Sequence, residues 1–113
     1  MSNLSSEAAK KPIILLVGKL PGVVGDIARQ LSDMHVEWLG AHDRGEVIRQ
    51  LDAEPRIACV VMGAGLDDAV RGELIGVIAG RRPDLTIHLK DRASGSEGIA
   101  PFARRVVDAV VLT

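Results

Sequence analysis

The chain has 113 residues, the size of a single domain. Hydrophobic residues make up 47 % of it, which is enough for a core and too much for a disordered chain. The 14 basic and 15 acidic residues nearly cancel, and aromatic residues are only 2 %. Nucleic-acid binding needs a basic surface or stacking rings, so the composition argues against it. We expect one domain with an aliphatic core and no nucleic-acid partner.

The N-terminal segment and the single cysteine bear on the cellular compartment. Residues 1–11 are polar and predict a flexible tail before a domain at 12–113. The tail lacks the apolar stretch of a signal peptide, and no apolar run approaches the roughly 20 residues that span a bilayer. Cys59 lies in an apolar run, which predicts a buried, reduced thiol. These features indicate a cytoplasmic protein with no membrane contact.

The first half of the domain alternates apolar runs with helical periodicity. The run PIILLVG is apolar throughout, as is typical of a strand covered on both faces. The next segment repeats its apolar residues at helical spacing. The predicted elements are a strand at Pro12–Gly18, a helix at Gly22–Met34, a strand at Val36–Ala41, and a helix capped by Asp43 that ends before Pro55.

The second half continues this alternation. Arg56–Gly65 predicts a third strand, and a helix then starts at Asp67 or Asp68 and stops before Pro83. Leu85–Lys90 predicts a fourth strand, and a loop follows at 91–98. The last segment has two interpretations, a single helix over 99–112 or a short helix followed by a fifth strand over 108–113. Its β-branched valines favour the strand.

Strands that alternate with helices predict an α/β fold with a mainly parallel sheet. We expect a three-layer sandwich with roughly five strands, flavodoxin- or receiver-like or Rossmann-like. If the chain ends on a strand, no last helix covers the sheet face that the first helix covers. An uncovered apolar face costs about 25 cal/mol per Å². This reasoning predicts a homodimer or a protein partner on that face.

The order VIRQLDAEPRIACVVM, GELIGVIAGRRPDLTIHLK and VVDAVVL resembles a response-regulator receiver domain. That family holds Mg²⁺ with an acidic pair after the first strand and carries its phosphorylated Asp at the end of the third. Gly18 and Lys19, and Met62 and Gly63, stand at these places. None of them accepts a phosphoryl group or supplies a carboxylate for a hard cation. Lys90 ends the fourth predicted strand, whereas the family lysine follows the fifth. The resemblance implies a non-catalytic regulatory module that contacts proteins without phosphotransfer.

A glycine pattern supports an alternative function. Gly18, Gly22 and Gly25 lie between the first strand and the first helix, where a nucleotide phosphate meets a helix N-terminus in dinucleotide-binding domains. Asp43 follows the second strand, as a ribose-binding acid does. The spacing differs from G-x-G-x-x-G, and Pro21 removes a backbone donor. The alternative is a small Rossmann-like nucleotide- or dinucleotide-binding domain; the structural interpretation is a tight turn.

The remaining polar residues suggest no catalytic or metal site. His35, His42 and His88 lack metal-ligand spacing, and no serine stands in a nucleophile elbow. We therefore predict no catalytic residue, no metal and no cofactor apart from the nucleotide of the alternative reading.

Overall fold

The computed structural model describes residues 10–92 and 98–112. Residues 1–9 of the predicted tail, residues 93–97 of the predicted loop and Thr113 lie outside the described residues. The strands are β1 Ile13–Val17, β2 Glu37–Ala41, β3 Ile57–Met62 and β4 Thr86–Leu89; the helices are α1 Val23–Gln30, α2 Arg44–Ala53, α3 Asp68–Arg81 and α4 Ile99–Val106, and α4 continues into a π-helical turn at Val107–Val111.

The four described strands form one parallel sheet in the order β2-β1-β3-β4. This confirms the α/β class and the predicted parallel sheet. All residues of β1 are buried, because helices cover both faces of this central strand. Ile13, Leu15 and Val17 pack on the side of α2 and α3, whereas Ile14 and Leu16 pack on the side of α1 and α4. The alternation of side chains along a strand produces these two clusters.

Aspartates begin two of the helices as their spacing predicts. The Asp43 carboxylate accepts a hydrogen bond from the Glu46 N–H at 2.8 Å and caps α2. Asp67, rather than Asp68, caps α3 through the Val70 N–H at 2.9 Å. Each cap pairs one backbone donor that the first helical turn leaves without a partner. Within the described ranges, no helix is long and apolar enough to cross a membrane.

The C-terminal segment is helical, whereas the sequence favoured a short helix followed by a fifth strand. The fifth strand predicted over 108–113 is wrong for the described residues, where α4 leads directly into the π-helical turn. Ala100, Ala103 and Val107 recur at intervals of three and four residues and are buried against the sheet. Packing of this helical face therefore outweighs the β propensity of the valines. The alternative of continuous helical structure is confirmed.

Helix α4 covers the sheet face that the sequence predicted to be open. It lies beside α1 on that face, whereas Val110 and Leu112 in and after the π-helical turn are each 40 % exposed. Arg104 of α4 also donates hydrogen bonds at 2.8 and 3.0 Å to the carboxylate of Asp33, which follows α1. The last helix, whose absence was the reason for predicting an open face, is therefore present. Association stays a prediction.

Candidate functional site

The carboxyl ends of the parallel strands meet at one edge of the sheet, which we call the carboxyl edge. The chain leaves β1 towards β2 on one side and reaches β3 on the other, so a crevice opens between β1 and β3. Ligands of open α/β sheets bind at such a point. A cavity of about 100 Å³ lies there. Its lining is mostly apolar and comes from Leu16, Val17, Gly18, Lys19, Leu20, Val23, His42, Gly63, Ala64, Gly65, Lys90 and Ile99.

Lys90 is the buried cation of this cavity. Its side chain is 2 % exposed, and its Nζ donates hydrogen bonds to the carbonyl oxygen of Asp91 at 3.0 Å and to Asp91 Oδ1 at 2.9 Å. A buried ammonium group needs such partners, because water no longer solvates it. The carboxylate that balances Lys90 therefore comes from the next residue in the chain.

Arg71 of α3 joins the ends of two strands behind the cavity. Its Nη2 donates to the carbonyl oxygen of Gly63 at 2.9 Å and to that of Lys90 at 2.6 Å. Its Nε is buried and has no hydrogen-bond partner among the described residues. Arg71 thus holds the chain after β3 against the chain after β4 and gives the carboxyl edge a fixed shape.

His42 connects β2 to the loop after β1. Its Nδ1 lies 3.0 Å from the carbonyl oxygen of Gly18 and donates to that oxygen when it carries the proton. The backbone N–H of His42 donates to Glu46 Oε1 at 2.6 Å, and Asp43 accepts from the Glu46 N–H. This reciprocal arrangement resembles a capping box. It occupies the Asp43 and Glu46 carboxylates with the start of α2.

The residues predicted for nucleotide binding do not all line one cavity. Gly18 lines the cavity. Gly22 is the N-cap residue of α1 with a positive φ of 91°, and no side chain caps this helix. Gly25 lies in the first helical turn, facing the Arg29 guanidinium. Asp43 lines an adjoining groove of about 410 Å³, which shares Lys19, His42 and Gly65 with the cavity. Nucleotide binding by this set stays a prediction.

The three histidines do not converge on one site. His42 is at the carboxyl edge, His35 is an exposed residue before β2, and His88 lies on β4. His88 Nε2 is 2.9 Å from the Thr86 hydroxyl, and burial lowers the pKa of His88. Across residues 10–92 and 98–112, no group of three or more His, Cys, Asp or Glu side chains is arranged to hold a metal ion.

The two carboxylates that follow β3 in the chain, outside the cavity, have structural partners. Asp67 caps α3, and Asp68 forms an ion pair with Arg92 at 3.0 Å. The strand ends themselves carry Gly18 after β1 and the fully buried Met62 at the end of β3. The cavity therefore has a cation and apolar walls where a receiver domain has its carboxylates.

Sequence reasoning missed Arg71 and did not place Lys90 in the site. Arg71 has a recognisable signal, because it occupies a helical position in register with the apolar residues Leu74 and Ile78. An arginine on the buried stripe of a helix needs carbonyl or carboxylate partners. Its actual partners, the carbonyl groups of Gly63 and Lys90, depend on tertiary contacts that the local pattern does not encode.

Comparison with known proteins supports the fold. No protein-family model matches the chain, and no curated protein matches it. The structure is similar to a crystal structure of a protein described as pilus assembly-related from Burkholderia pseudomallei K96243. The two share 20 % identity over 81 % of this chain and 72 % of the other, with a TM-score of 0.54. The likeness shows a shared parallel α/β architecture.

Proposed function

We propose that this protein is a receiver-like regulatory module that acts by protein contact and does not carry a phosphoryl group. The observation that carries the proposal is the composition of the crevice between β1 and β3. Gly18 and Gly63 line it together with the buried, charge-paired Lys90, and the fully buried Met62 ends β3 beside it. An exposed leucine lies at its margin.

Within the described residues, the crevice lacks the groups that phosphoryl transfer requires. A phosphorylated aspartate needs an Asp side chain at the end of β3, where Met62 and Gly63 stand. A magnesium ion needs several oxygen ligands in near-octahedral geometry. Gly18 and Lys19 after β1 supply no carboxylate, and the Asp91 carboxylate is already paired with the Lys90 ammonium group.

The same crevice has a surface suited to a protein. Leu20 is 60 % exposed and lines the apolar cavity together with Val23 and Ile99. Hot spots form where an anchor side chain of one protein fills a pocket of the other, and the apolar depression beside Leu20 offers such a pocket. A partner that inserts an apolar side chain into the cavity would bury Leu20 and leave the Lys90–Asp91 ion pair in place.

A photo-crosslinking residue at Leu20 tests this contact in the source cells, with the same residue at the exposed Arg29 of α1 as the control. We expect a crosslinked protein from position 20 that is absent from position 29. Purified, that protein should bind the unmodified chain, and Leu20→Asp should weaken binding by about tenfold or more. Binding that is unchanged by Leu20→Asp contradicts the proposed contact.

The compared structure suggests the process in which to look first. That protein is described as pilus assembly-related, so we propose that the module serves pilus assembly. Deletion of the gene should then reduce surface pili, and the wild-type gene should restore them whereas the Leu20→Asp gene should not. Normal piliation after deletion argues against this role and leaves the protein-contact proposal intact.

One observation favours the nucleotide-binding alternative. Gly22 turns the chain into α1 without a side-chain cap, so the first N–H groups of this helix are available to an anion. Asp26 in the first turn opposes a phosphate there. Titration of ATP, NAD, NADP and cyclic nucleotides decides the question by melting temperature. A ligand at 100 times its dissociation constant adds about 2.7 kcal/mol of stability; our leading proposal predicts no shift.

A further inference from the structure

The outer edge of β4 is open within the described part of the chain. β4 pairs with β3 on one side, and no described strand pairs with it on the other. The Lys90 N–H donates to the Met62 carbonyl at 2.9 Å, and Met62 is in register with Leu89. In a parallel ladder this register turns the N–H and C=O groups of Ile87 and Leu89 away from β3. These four groups form an unpaired hydrogen-bonding edge.

The two edges of the sheet differ in how they are protected. At β2, the outward Gly40 carbonyl accepts a hydrogen bond from Gln50 Nε2 at 3.3 Å, and Glu37 forms an ion pair with Arg56 at 3.1 Å. β4 has no charged residue and no proline in its four residues. Leu89 at its end is 42 % exposed. The only protective feature of β4 among the described residues is its length of four, so β4 is the edge better suited to pairing.

We propose that β4 pairs with β4 of a second copy, antiparallel across a twofold axis, and joins the two four-stranded sheets into one. The register places Ile87 opposite the partner's Leu89 and, by symmetry, Leu89 opposite the partner's Ile87. His88 lies on the axis. Ile87 and the partner's Leu89 both have backbone groups that face outward. Because they lie directly opposite each other, they form two N–H···O hydrogen bonds, one in each direction.

Side-chain chemistry selects this register. Ile87 and Leu89 lie on the same face of the strand, so each apolar side chain meets an apolar side chain of the partner. At both ends, Asp84, which pairs with Arg82 in its own chain, comes near the partner's Arg92, and the Asp84 carboxylate is exposed enough to accept a second cation. Shifting the register by two residues, with Ile87 opposite itself, brings Arg82 towards the partner's Arg92 and is disfavoured by repulsion.

A second copy fits this edge better than another strand because the edge is complementary to itself in hydrogen bonding, apolar contact and charge. An isologous pair also closes after two chains and leaves neither β4 edge open. The pairing does not depend on the contact proposed at Leu20. That residue lies in the loop after β1, at the carboxyl edge rather than along β4.

Sedimentation equilibrium of the full chain tests the pairing, with Leu89→Lys as the disrupting variant and Leu112→Lys as the matched control. Leu89 is 42 % exposed and Leu112 is 40 % exposed, so both variants should keep the wild-type melting curve. We expect a dimer for the wild type and Leu112→Lys, and a dimer dissociation constant at least about tenfold higher for Leu89→Lys. A strictly monomeric wild type at high micromolar concentration overturns the proposal, as does an unchanged dimer in Leu89→Lys.

A second test reverses charges at residues outside β4, so the sequence of the strand itself is unchanged. Asp84→Arg alone places positive charge near the partner's Arg92 and should weaken the dimer, whereas Asp84→Arg combined with Arg92→Asp should restore it. Failure of the double variant to restore the dimer contradicts the proposed register. Hydrogen exchange at the Ile87 and Leu89 amides should slow as protein concentration rises; exchange independent of concentration contradicts the backbone pairing.

Discussion

Cys59 of β3 has no exposed surface, and burial raises the pKa of its thiol to about 11 from an ordinary value of 9.0. The folded state therefore disfavours the thiolate. The resulting stability is fully present below about pH 9 and is lost as the pH rises through the folded-state pKa. The sequence-based prediction of a buried, reduced thiol is confirmed in its placement.

We predict that the free energy of unfolding falls by about 2–3 kcal/mol between pH 9 and pH 11 because of this one group. Denaturant titrations at several pH values measure it, and Cys59→Ala is the control that lacks the titrating group. The difference in slope between the two proteins isolates the thiol contribution. If the free energy of unfolding changed with pH in the same way for the wild type and Cys59→Ala, the raised pKa of the Cys59 thiol would be contradicted.

Two glycines of the predicted phosphate loop have opposite backbone requirements. Gly22 has a positive φ of 91°, which costs an L-residue about 1–2 kcal/mol. Gly25 is helical, and a β-carbon there would lie 3.8 Å from the flexible Arg29 guanidinium. The pattern G-x-x-x-G-x-x-G therefore has a structural cause at Gly22 and none at Gly25.

We predict that Gly22→Ala lowers stability by about 1–2 kcal/mol, whereas Gly25→Ala raises it by up to about 1 kcal/mol through helix propensity. Urea denaturation of the two variants beside the wild type measures both signs. Equal destabilisation by the two substitutions would mean that Gly25 has a packing role that the contacts around it do not reveal.

At the scale of the elements, the sequence predicts those that local physical rules determine. The continuous apolar runs of β1 and β3 follow from burial on both faces. The start of α2 follows from the side chain of Asp43. The C-terminal segment is different, because its valines favour a strand while its small buried residues fit a helix. Only the sheet face on which it packs decides between them.

The packing of α4 can be tested by introducing aspartate at one buried and one exposed alanine of the C-terminal helical segment. Ala103 is fully buried between α4 and the sheet, whereas Ala109 in the π-helical turn is exposed. Ala103→Asp should destabilise the protein by about 3 kcal/mol or more, because it buries an unpaired charge. Ala109→Asp should change stability by about 0.5 kcal/mol or less. Similar thermal melts for the two variants would contradict the packing of α4.

At the scale of the whole molecule, helices cover both faces of the sheet. The described part leaves the β4 edge open and exposes Leu20, Leu89, Val110 and Leu112. The sequence predicts the absence of acidic groups at the ends of β1 and β3, because that follows from residue identity. It does not predict that Arg71 and Lys90 meet there, because helix α3 and strand β4 bring them together only in the folded chain.

The central claim is that this fold presents a carboxyl edge without phosphoryl chemistry. Intact-mass spectrometry of the purified chain after incubation with acetyl phosphate and Mg²⁺ tests it most directly, beside a receiver domain that has the complete acidic set. We predict an unchanged mass for this protein and one added phosphoryl group on the control. Stoichiometric, acid-stable or acid-labile addition of a phosphoryl group to a side chain of the carboxyl edge would contradict the claim.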